Sequence, residues 1–452
     1  MVMCAQQFDF SRALIVGMGV SGLSCARFLG KQGIRFRVAD SRNNPPSLEQ
    51  IQQEFPDCVI HTGGFDADLL NNIDILVLSP GVSIAHPFVQ LAMRRRIDVI
   101  GDIELFARHV NAPVIAITGS NGKSTVTTLV GELMQAAGLD VAVGGNLGTP
   151  ALDLLRTPAP SAYVLELSSF QLETTFSLKP HIATVLNVSI DHMDRYASFA
   201  DYAKSKARIY HQAKICVANR DDAIVKEMLN KNTSTIRFFG SDQPANKDDF
   251  GMVSKSGQTW LARGEQTFVS TRELKLVGKH NALNALAALT MSCAFGAELE
   301  EMIPVLKTFP GLPHRCQWIA EHNDVRWIND SKATNVGAAQ AAIDSMPGSV
   351  ILIAGGDGKD ADFNALRSSV ATKVRTALLL GKDAGLLHNA LGDITNCHQV
   401  NDMREAVSLA AMLARPGQTV LLAPACASFD MFSGFAERGE VFSRCVHEVL
   451  EN

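Results

Sequence analysis

Short apolar runs recur along the whole chain, and most end in glycine or small polar residues before a stretch with helical spacing begins. Residues 13–16 lead into GMGVSG at 17–22 and a helical stretch through Phe28. Residues 35–39 end on Asp40, residues 75–78 end in Ser79-Pro80-Gly81, and a further run follows at 97–100. The pattern repeats at 114–118 with a helical run at 126–137, at 162–165 before Glu166, and at 183–187 before Asp191 and His192. Polar, weakly periodic sequence at 230–259 reads as loops and edge strands, and 281–298 as helix. A Pro/Gly-dense hinge at 310–313 opens a third block, with strands expected at 325–328, 350–354, 376–380 and 419–423. Strands alternating with helices define the α/β class. Three domains are expected: an N-terminal Rossmann-like domain (1–101), a central domain with a mostly parallel sheet (102–309) that the GSNGKS turn at 119–124 marks as a P-loop-type ATPase domain, and a C-terminal Rossmann-like domain (310–452). No internal repeat is visible.

At 452 residues the chain exceeds one ordinary core. Its 46% hydrophobic and 19% charged residues are globular values. A net charge of −5 argues against a nucleic-acid surface, and the basic run Arg94-Arg95-Arg96 reads as a solvated helix end. Residues 1–11 carry no export signature. The longest apolar stretch, 282–297, is broken by Asn284, Thr290 and Ser292 and reads as a packed helix rather than a membrane span. Nine cysteines form no CxxC pair, and Cys445 with His447 lacks a second ligand pair. Reduced, buried thiols and a cytoplasmic setting are expected.

The sharpest chemical signal is VIAITGSNGKST at 114–125. Gly119 and Gly122 let backbone N–H groups converge, Lys123 adds positive charge, and Ser124 offers a hydroxyl to magnesium at the positive end of a helix. The usual phosphate loop would place glycine where Ile117 stands, so only the compact GSNGKS core is present. In open α/β sheets ligands gather beyond the carboxyl ends of strands, which brings in Glu166, Asn187, Asp191 and His192. Glu166 suits magnesium; His192 is a less usual ligand. The Lys204, Lys206 and Arg208 series reads by itself as a solvated helix face. The GMGVSG turn with Asp40 fits a dinucleotide or any pyrophosphate. In the third block, Asn329–Asn335, Gly355–Lys359 and Pro424–Ser428 each follow a strand and are read as opening helices on one sheet edge, an arrangement suited to a carboxylate-bearing ligand.

These residues, with ELSSFQL (166–172), NVSIDHMDRY (187–196), GKHN (278–281), GLPHR (311–315), NDSKATN (329–335) and ACASFD (425–430), resemble the bacterial Mur ligases across all three blocks, in order. The GMGVSG, DHMDRY, GLPHR and ACASFD segments are most similar to the member of the family that adds D-glutamate. The Asp-Asn-Pro-Arg motif of the ligase that adds a diamino acid at the next step is absent. Val20-Ser21 stands where leucine-threonine is expected, and the segment from His192 to Lys206 is one residue short of the family pattern.

The resemblance implies ATP-dependent joining of D-glutamate to UDP-N-acetylmuramoyl-L-alanine through an acyl phosphate, a step of peptidoglycan precursor synthesis. It further implies ATP contacts at Gly119, Ser120, Asn121, Gly122, Lys123, Ser124, Thr125, Val126, Asn281, Asn284, Arg315 and Asp330. Two magnesium sites would draw on Ser124, Glu166, His192 and Lys206, with Lys206 carbamylated; Lys123, His192 and Lys206 would be catalytic. The UDP-substrate would meet Ser21, Asp40, Ser41, Arg42, Gly81, Asn146 and His192. D-Glutamate would meet Lys332, Thr334, Lys359, Ser428 and Phe435. The expected partners are small molecules alone, with no nucleic acid and no membrane, and the chain is expected to be a monomer. Alternatives are another Mur-type or folylpolyglutamate-type ligase, or an NAD-binding regulatory protein built on the first glycine turn.

Overall fold

The computed structural model describes residues 11–189, 191–193, 195–229, 234–276, 278–359 and 361–451. Three parallel-rich sheets carry the chain. The first comprises β1 (Arg12–Val16), β2 (Arg35–Asp40), β3 (Val59–Thr62), β4 (Ile75–Leu78) and β5 (Asp98–Gly101), all parallel in the order β3-β2-β1-β4-β5. The second comprises β6 (Val114–Thr118), β7 (Val141–Gly145), β8 (Ala162–Glu166), β9 (Ile182–Val185), β10 (Ile215–Asn219), β11 (Thr235–Phe239), β12 (Phe250–Lys255), β13 (Gln258–Arg263) and β14 (Gln266–Ser270). Its order is β14-β13-β12-β11-β10-β9-β6-β8-β7. The third comprises β15 (Gln317–His322), β16 (Val325–Asn329), β17 (Val350–Gly355), β18 (Val374–Leu380), β19 (Asn396–Gln399) and β20 (Thr419–Leu422). Its order is β15-β16-β20-β17-β18-β19, with only the β15–β16 pair antiparallel.

The chain packs as two compact units. One runs up to Val253 and adds Ala262–Thr267 and Asn284–Ile303; the other holds Ser254–Leu261, Phe268–Leu283 and the chain from Pro304. The first unit holds the first sheet and the strands β6–β11 of the second, because one apolar core runs through both: Ile15, Phe28, Leu29 and Ile103 continue into Phe106, Ala116, Tyr163 and Leu165. Phe106 meets Tyr163 edge-on at 5.3 Å. In the second unit the third sheet has apolar layers on both faces, as buried parallel strands require.

The glycine turn after β1 is dictated by close approach. A Cβ on Gly22 would stand 1.9 Å from Gly17 O, and Gly17 itself holds φ +102° against Ser79. The expected strands are present with end shifts of one or two residues; β9 stops at Val185 rather than 187. Strands β3, β15 and β19 carry no clear apolar signature, having half-exposed or exposed positions; β7 (VAVGG) and β10 (ICVAN) are apolar but lie outside the expected set. The run at 94–96 is exposed at a helix end. Residues 285–289 of helix Lys279–Phe295 are buried, and no described helix is long and apolar enough to cross a membrane. All eight described cysteines are free, five of them buried.

Candidate functional site

β6 ends at Thr118, and the chain turns through residues 119–122 into helix Lys123–Ala136. Gly122 caps that helix at φ +83°, and a Cβ there would stand 2.4 Å from Asn284 Oδ1, so only glycine fits. The turn is clamped from the end of β9. Ser120 N donates to Asn187 O at 3.0 Å, Asn121 N donates to Asn187 Oδ1 at 2.9 Å, and Asn187 Nδ2 donates back to Asn121 O at 3.1 Å. Ser120 Oγ accepts from Ser189 N and bonds the Tyr202 hydroxyl, each at 3.0 Å. Lys123 Nζ lies over the loop, donating to Gly119 O at 2.8 Å and Ser120 O at 3.0 Å. Thr125 and Val126 complete the first helical turn and are buried.

Glu166 ends β8, beside β6, paired in register with Ile117. It is 2% exposed; Oε1 accepts from Asn146 Nδ2 at 2.7 Å, while Oε2 has no partner. A buried carboxylate oxygen left bare is costly unless a cation completes it. Ser124 adds a buried hydroxyl nearby in the first turn of the helix. Oxygen donors suit magnesium. Among the described residues no group of three His, Cys, Asp or Glu could hold a metal by itself. The bare Glu166 oxygen and the Ser124 hydroxyl are a donor pair that fits magnesium.

The expectation of a solvated face at 204–208 is corrected at one position. Lys204 is exposed, but Lys206 is 2% exposed, sharing the buried side of helix Phe199–Ala207 with Tyr202 and Ser205. Its Nζ donates to Gly119 O at 2.9 Å and sits 4.7 Å from the Tyr202 ring. Burial and the neighbouring Lys123 charge lower its pKa to about 7, against the pull of Asp191 and Glu166. His192 is half-exposed at φ +56°, with Nε2 3.5 Å from Asp191 Oδ2 and its ring 4.8 Å from Phe170. Ile190 and Asp194 of the same motif lie outside the described residues.

At the first sheet's carboxyl edge, Asp40 has both oxygens engaged. Oδ2 accepts from Met18 N at 2.6 Å and from Arg42 Nη2 at 2.7 Å; Oδ1 accepts from Arg42 N at 2.9 Å and Nε at 2.8 Å. Although burial opposes it, these bonds hold the Asp40 pKa down at about 2. A carboxylate so occupied is poorly placed to receive a ribose hydroxyl, the role that an acid has at this position of an NAD fold. Instead it orients Arg42, whose side chain is half-exposed beside Ser41. Ser21 lies in the first turn of the helix that follows β1, and Gly81 lies three residues past the end of β4.

In the second unit, β16, β20 and β17 are parallel neighbours, so residues 329–335, 424–428 and 355–359 do share one edge. Only the first opens a helix directly: Asn335 caps Val336–Ser345, accepting from Ala338 N at 2.9 Å. The other two segments run on as loops before Phe363–Leu366 and Phe435–Leu450, and each contains a left-handed residue, Lys359 and Ala425 respectively. Lys332 Nζ sits 3.9 Å from the centre of the Phe435 ring, Thr334 is half-buried, and Ser428 is buried. Asp330 accepts from Cys316 N at 3.0 Å, and burial raises its pKa to about 6. Arg315 is exposed and Asn281 buried, both in this unit.

One residue of this edge escaped the sequence reading. Arg438, 2% exposed, donates to Ser331 Oγ (3.0 Å), Ser331 O (2.9 Å) and Cys426 O (3.1 Å), and more weakly to Gly355 O (3.4 Å), thereby tying the three strand ends together. The signal was present: Arg438, Phe442, Cys445 and Val446 form one buried helical stripe with an arginine in it.

Comparison with known proteins matches the chain to three family models: the Mur ligase MurD-like N-terminal domain (residues 11–101), the Mur ligase middle domain (117–292) and the Mur ligase glutamate ligase domain (314–426). The UDP-N-acetylmuramoylalanine--D-glutamate ligase of Nitrosococcus oceani is 50% identical over 440 residues, 97% of each chain. The protein of the same name from Pseudomonas aeruginosa is 49% identical over 440 residues, 96% of this chain and 98% of that one. Among solved structures, a UDP-N-acetylmuramate-alanine ligase from Thermotoga maritima aligns with a TM-score of 0.57 at 16% identity, covering 97% of this chain and 99% of that one. FolC of E. coli, solved with DHPP and ADP, aligns at 0.54 and 17% identity over 74% of this chain and 89% of that one, a likeness of fold alone.

Proposed function

Since the chain belongs to the Mur ligase family, we propose that it joins D-glutamate to UDP-N-acetylmuramoyl-L-alanine at the expense of ATP, a cytoplasmic step in building the peptidoglycan precursor. A carboxylate resists amines until one of its oxygens becomes a good leaving group. The terminal phosphoryl of ATP passes to the alanyl carboxylate, giving an acyl phosphate and ADP. The D-glutamate amine attacks the acyl carbon, and phosphate departs as the amide forms.

Lys123 and the N–H groups of residues 119–124 would hold the outer phosphates and offset the charge gathered by two anions. Ser124 and the bare oxygen of Glu166 would hold a magnesium ion, which when bound supplies positive charge along the line of transfer. His192 and Lys206 would serve a second ion once Lys206 is carbamylated, since an ammonium cannot ligate a cation. Asn284 with Gly122, and Asn281, Arg315 and Asp330, would contact the nucleoside. Ser21, Ser41, Arg42 and Gly81 would hold the UDP moiety, with Asp40 orienting Arg42. Lys332, Thr334, Lys359, Ser428 and Phe435 would receive the two carboxylates of D-glutamate. We take the domains as 1–101, 102–309 and 310–452, acting as a monomer.

The observation that carries the mechanism is the juxtaposition on adjacent strands of the clamped GSNGKS turn and the buried, half-satisfied Glu166. Phosphate release from ATP should require both UDP-N-acetylmuramoyl-L-alanine and D-glutamate, and should vanish in Lys123→Ala. Better turnover with L-glutamate or L-alanine would refute the assignment.

A further inference from the structure

Arg195 links two parts of the first unit that carry different ligands in the reading above. Its Nη1 donates to Pro80 O at 2.7 Å and its Nη2 to Val82 O at 3.2 Å, with Glu173 Oε2 3.4 Å from Nη2. The guanidinium lies 3.8 Å from the centre of the Phe170 ring, and that ring meets His192 at 4.8 Å and Tyr196 at 6.1 Å. Arg195 N also donates to His192 O at 3.0 Å, closing the turn that presents His192. On the far side, the loop holding Pro80 and Val82 is tied to the first glycine turn: Ser79 Oγ donates to Gly17 O at 3.0 Å and Ser79 N to Val16 O at 2.9 Å.

The Arg195 side chain is 11% exposed and Glu173 8%. Burying a guanidinium is costly unless several partners take its protons, and here they are two carbonyls of one loop and the Glu173 carboxylate, while Nε has no hydrogen-bond partner. Only arginine suits the place. Its planar fork reaches two carbonyls while its face stacks on a ring, whereas a lysine ammonium can do one of these at a time.

We propose that Arg195 is a positioning residue for the UDP-linked substrate. It locks the Pro80–Val82 carbonyls to the His192 turn beside the phosphate loop. Anchoring of the nucleotide end then sets how far the substrate's terminal carboxylate reaches. This rests on the reading of Ser21, Ser41, Arg42 and Gly81 as the nucleotide pocket.

The test is steady-state kinetics of the full-length protein with each of the three substrates varied in turn. Arg195→Met should raise KM for UDP-N-acetylmuramoyl-L-alanine about tenfold or more, the scale of losing one or two positioned hydrogen bonds, while KM for ATP and D-glutamate stays within about twofold. Arg195→Lys should fall between the two. An unchanged KM for the UDP-substrate, or an equal rise for all three, overturns the proposal. Should Arg195→Met fail to fold, Phe170→Leu removes the stack but spares the carbonyl bonds, and it should give a smaller rise of the same selectivity; no rise overturns the proposal as well. Arg42→Ala separates the two readings. If it leaves the UDP-substrate KM unchanged, the pocket is misplaced and the coupling falls with it. If it raises that KM and Arg195→Met does not, the coupling alone falls.

Discussion

Lys206 should carry a neutral amine at physiological pH and capture carbon dioxide there. An ordinary lysine with its pKa near 10.4 is neutral in only about one molecule in three thousand at pH 7. Burial beside Lys123 lowers Lys206 to about 7, so roughly half of the molecules hold it neutral. That is an enrichment of about a thousandfold over a surface lysine, equivalent to roughly 5 kcal/mol set against the charged form. The sign follows from linkage. Because the folded pKa lies below the unfolded one, the unfolded chain binds this proton more tightly. The cost of burying Lys206 is therefore fully felt below about pH 7 and is relieved as pH rises toward the ordinary lysine value.

Carbamate formation joins the neutral amine nitrogen to the carbon of carbon dioxide and releases one proton from that nitrogen, turning a neutral side chain into an anion next to Lys123; starting from the ammonium form, two protons leave. Carbon NMR of the protein in isotope-labelled bicarbonate reads this directly. One carbamate resonance is expected, missing from Lys206→Met and fading as pH falls through about 7. Its absence at pH 8 under saturating bicarbonate, or a fade already under way at about pH 9–10, would refute the electrostatic reasoning.

Three further outcomes are expected. Glu166→Gln keeps a partner for Asn146 but removes the bare anionic oxygen, so turnover should fall about a hundredfold or more with a raised magnesium requirement; a magnesium titration of activity checks it, and the thermal midpoint should not fall. Gly122→Ala forces a Cβ to within 2.4 Å of Asn284 Oδ1 at φ +83°, a conformation costing about 1–2 kcal/mol, and should raise KM for ATP while sparing KM for D-glutamate. Gly439→Ala would gain helix propensity in the abstract, yet its Cβ would stand 2.1 Å from His314 Nδ1; overpacking of about 1–3 kcal/mol should win, seen as a lowered thermal midpoint.

What the sequence made legible followed from its periodicity. Fully apolar strands such as 350–354 and 162–165 announce themselves because a parallel strand buried on both faces has no polar position to hide it, and the turns after them place Lys123, Glu166 and Lys332 without further help. Strands with half-exposed or exposed positions, such as β3 and β19, lack that signature; β10 (ICVAN) is buried and apolar and was still not expected, being a short run that ends on Asn219 without a glycine turn after it. The failures at the site share one physical cause: they concern charged side chains inside the fold. The spacing by itself puts Lys206 on a solvated face, and only the family resemblance brings it to the site; yet Tyr202 and Ser205, its neighbours on the helix, share its buried side. Arg438 sits in an apolar stripe, and Arg195 follows a strand by several residues, where no motif logic assigns it a partner. Each directs donors at backbone carbonyls of neighbouring loops: Gly119 for Lys206, Pro80 and Val82 for Arg195, Ser331 and Cys426 for Arg438, with the Glu173 carboxylate also facing Arg195 and the Ser331 hydroxyl facing Arg438. Carbonyl acceptors leave no trace in residue identity, since every residue has one. A cation that holds a loop by its backbone is thus invisible in sequence unless, like Lys123, it sits inside a glycine-rich motif. The distinction predicts where substitution will mislead. Replacing Arg195 with lysine conserves charge but not the carbonyl bonds and the Phe170 stack together, so for these loop-holding residues geometry, and not charge, should decide which variants work.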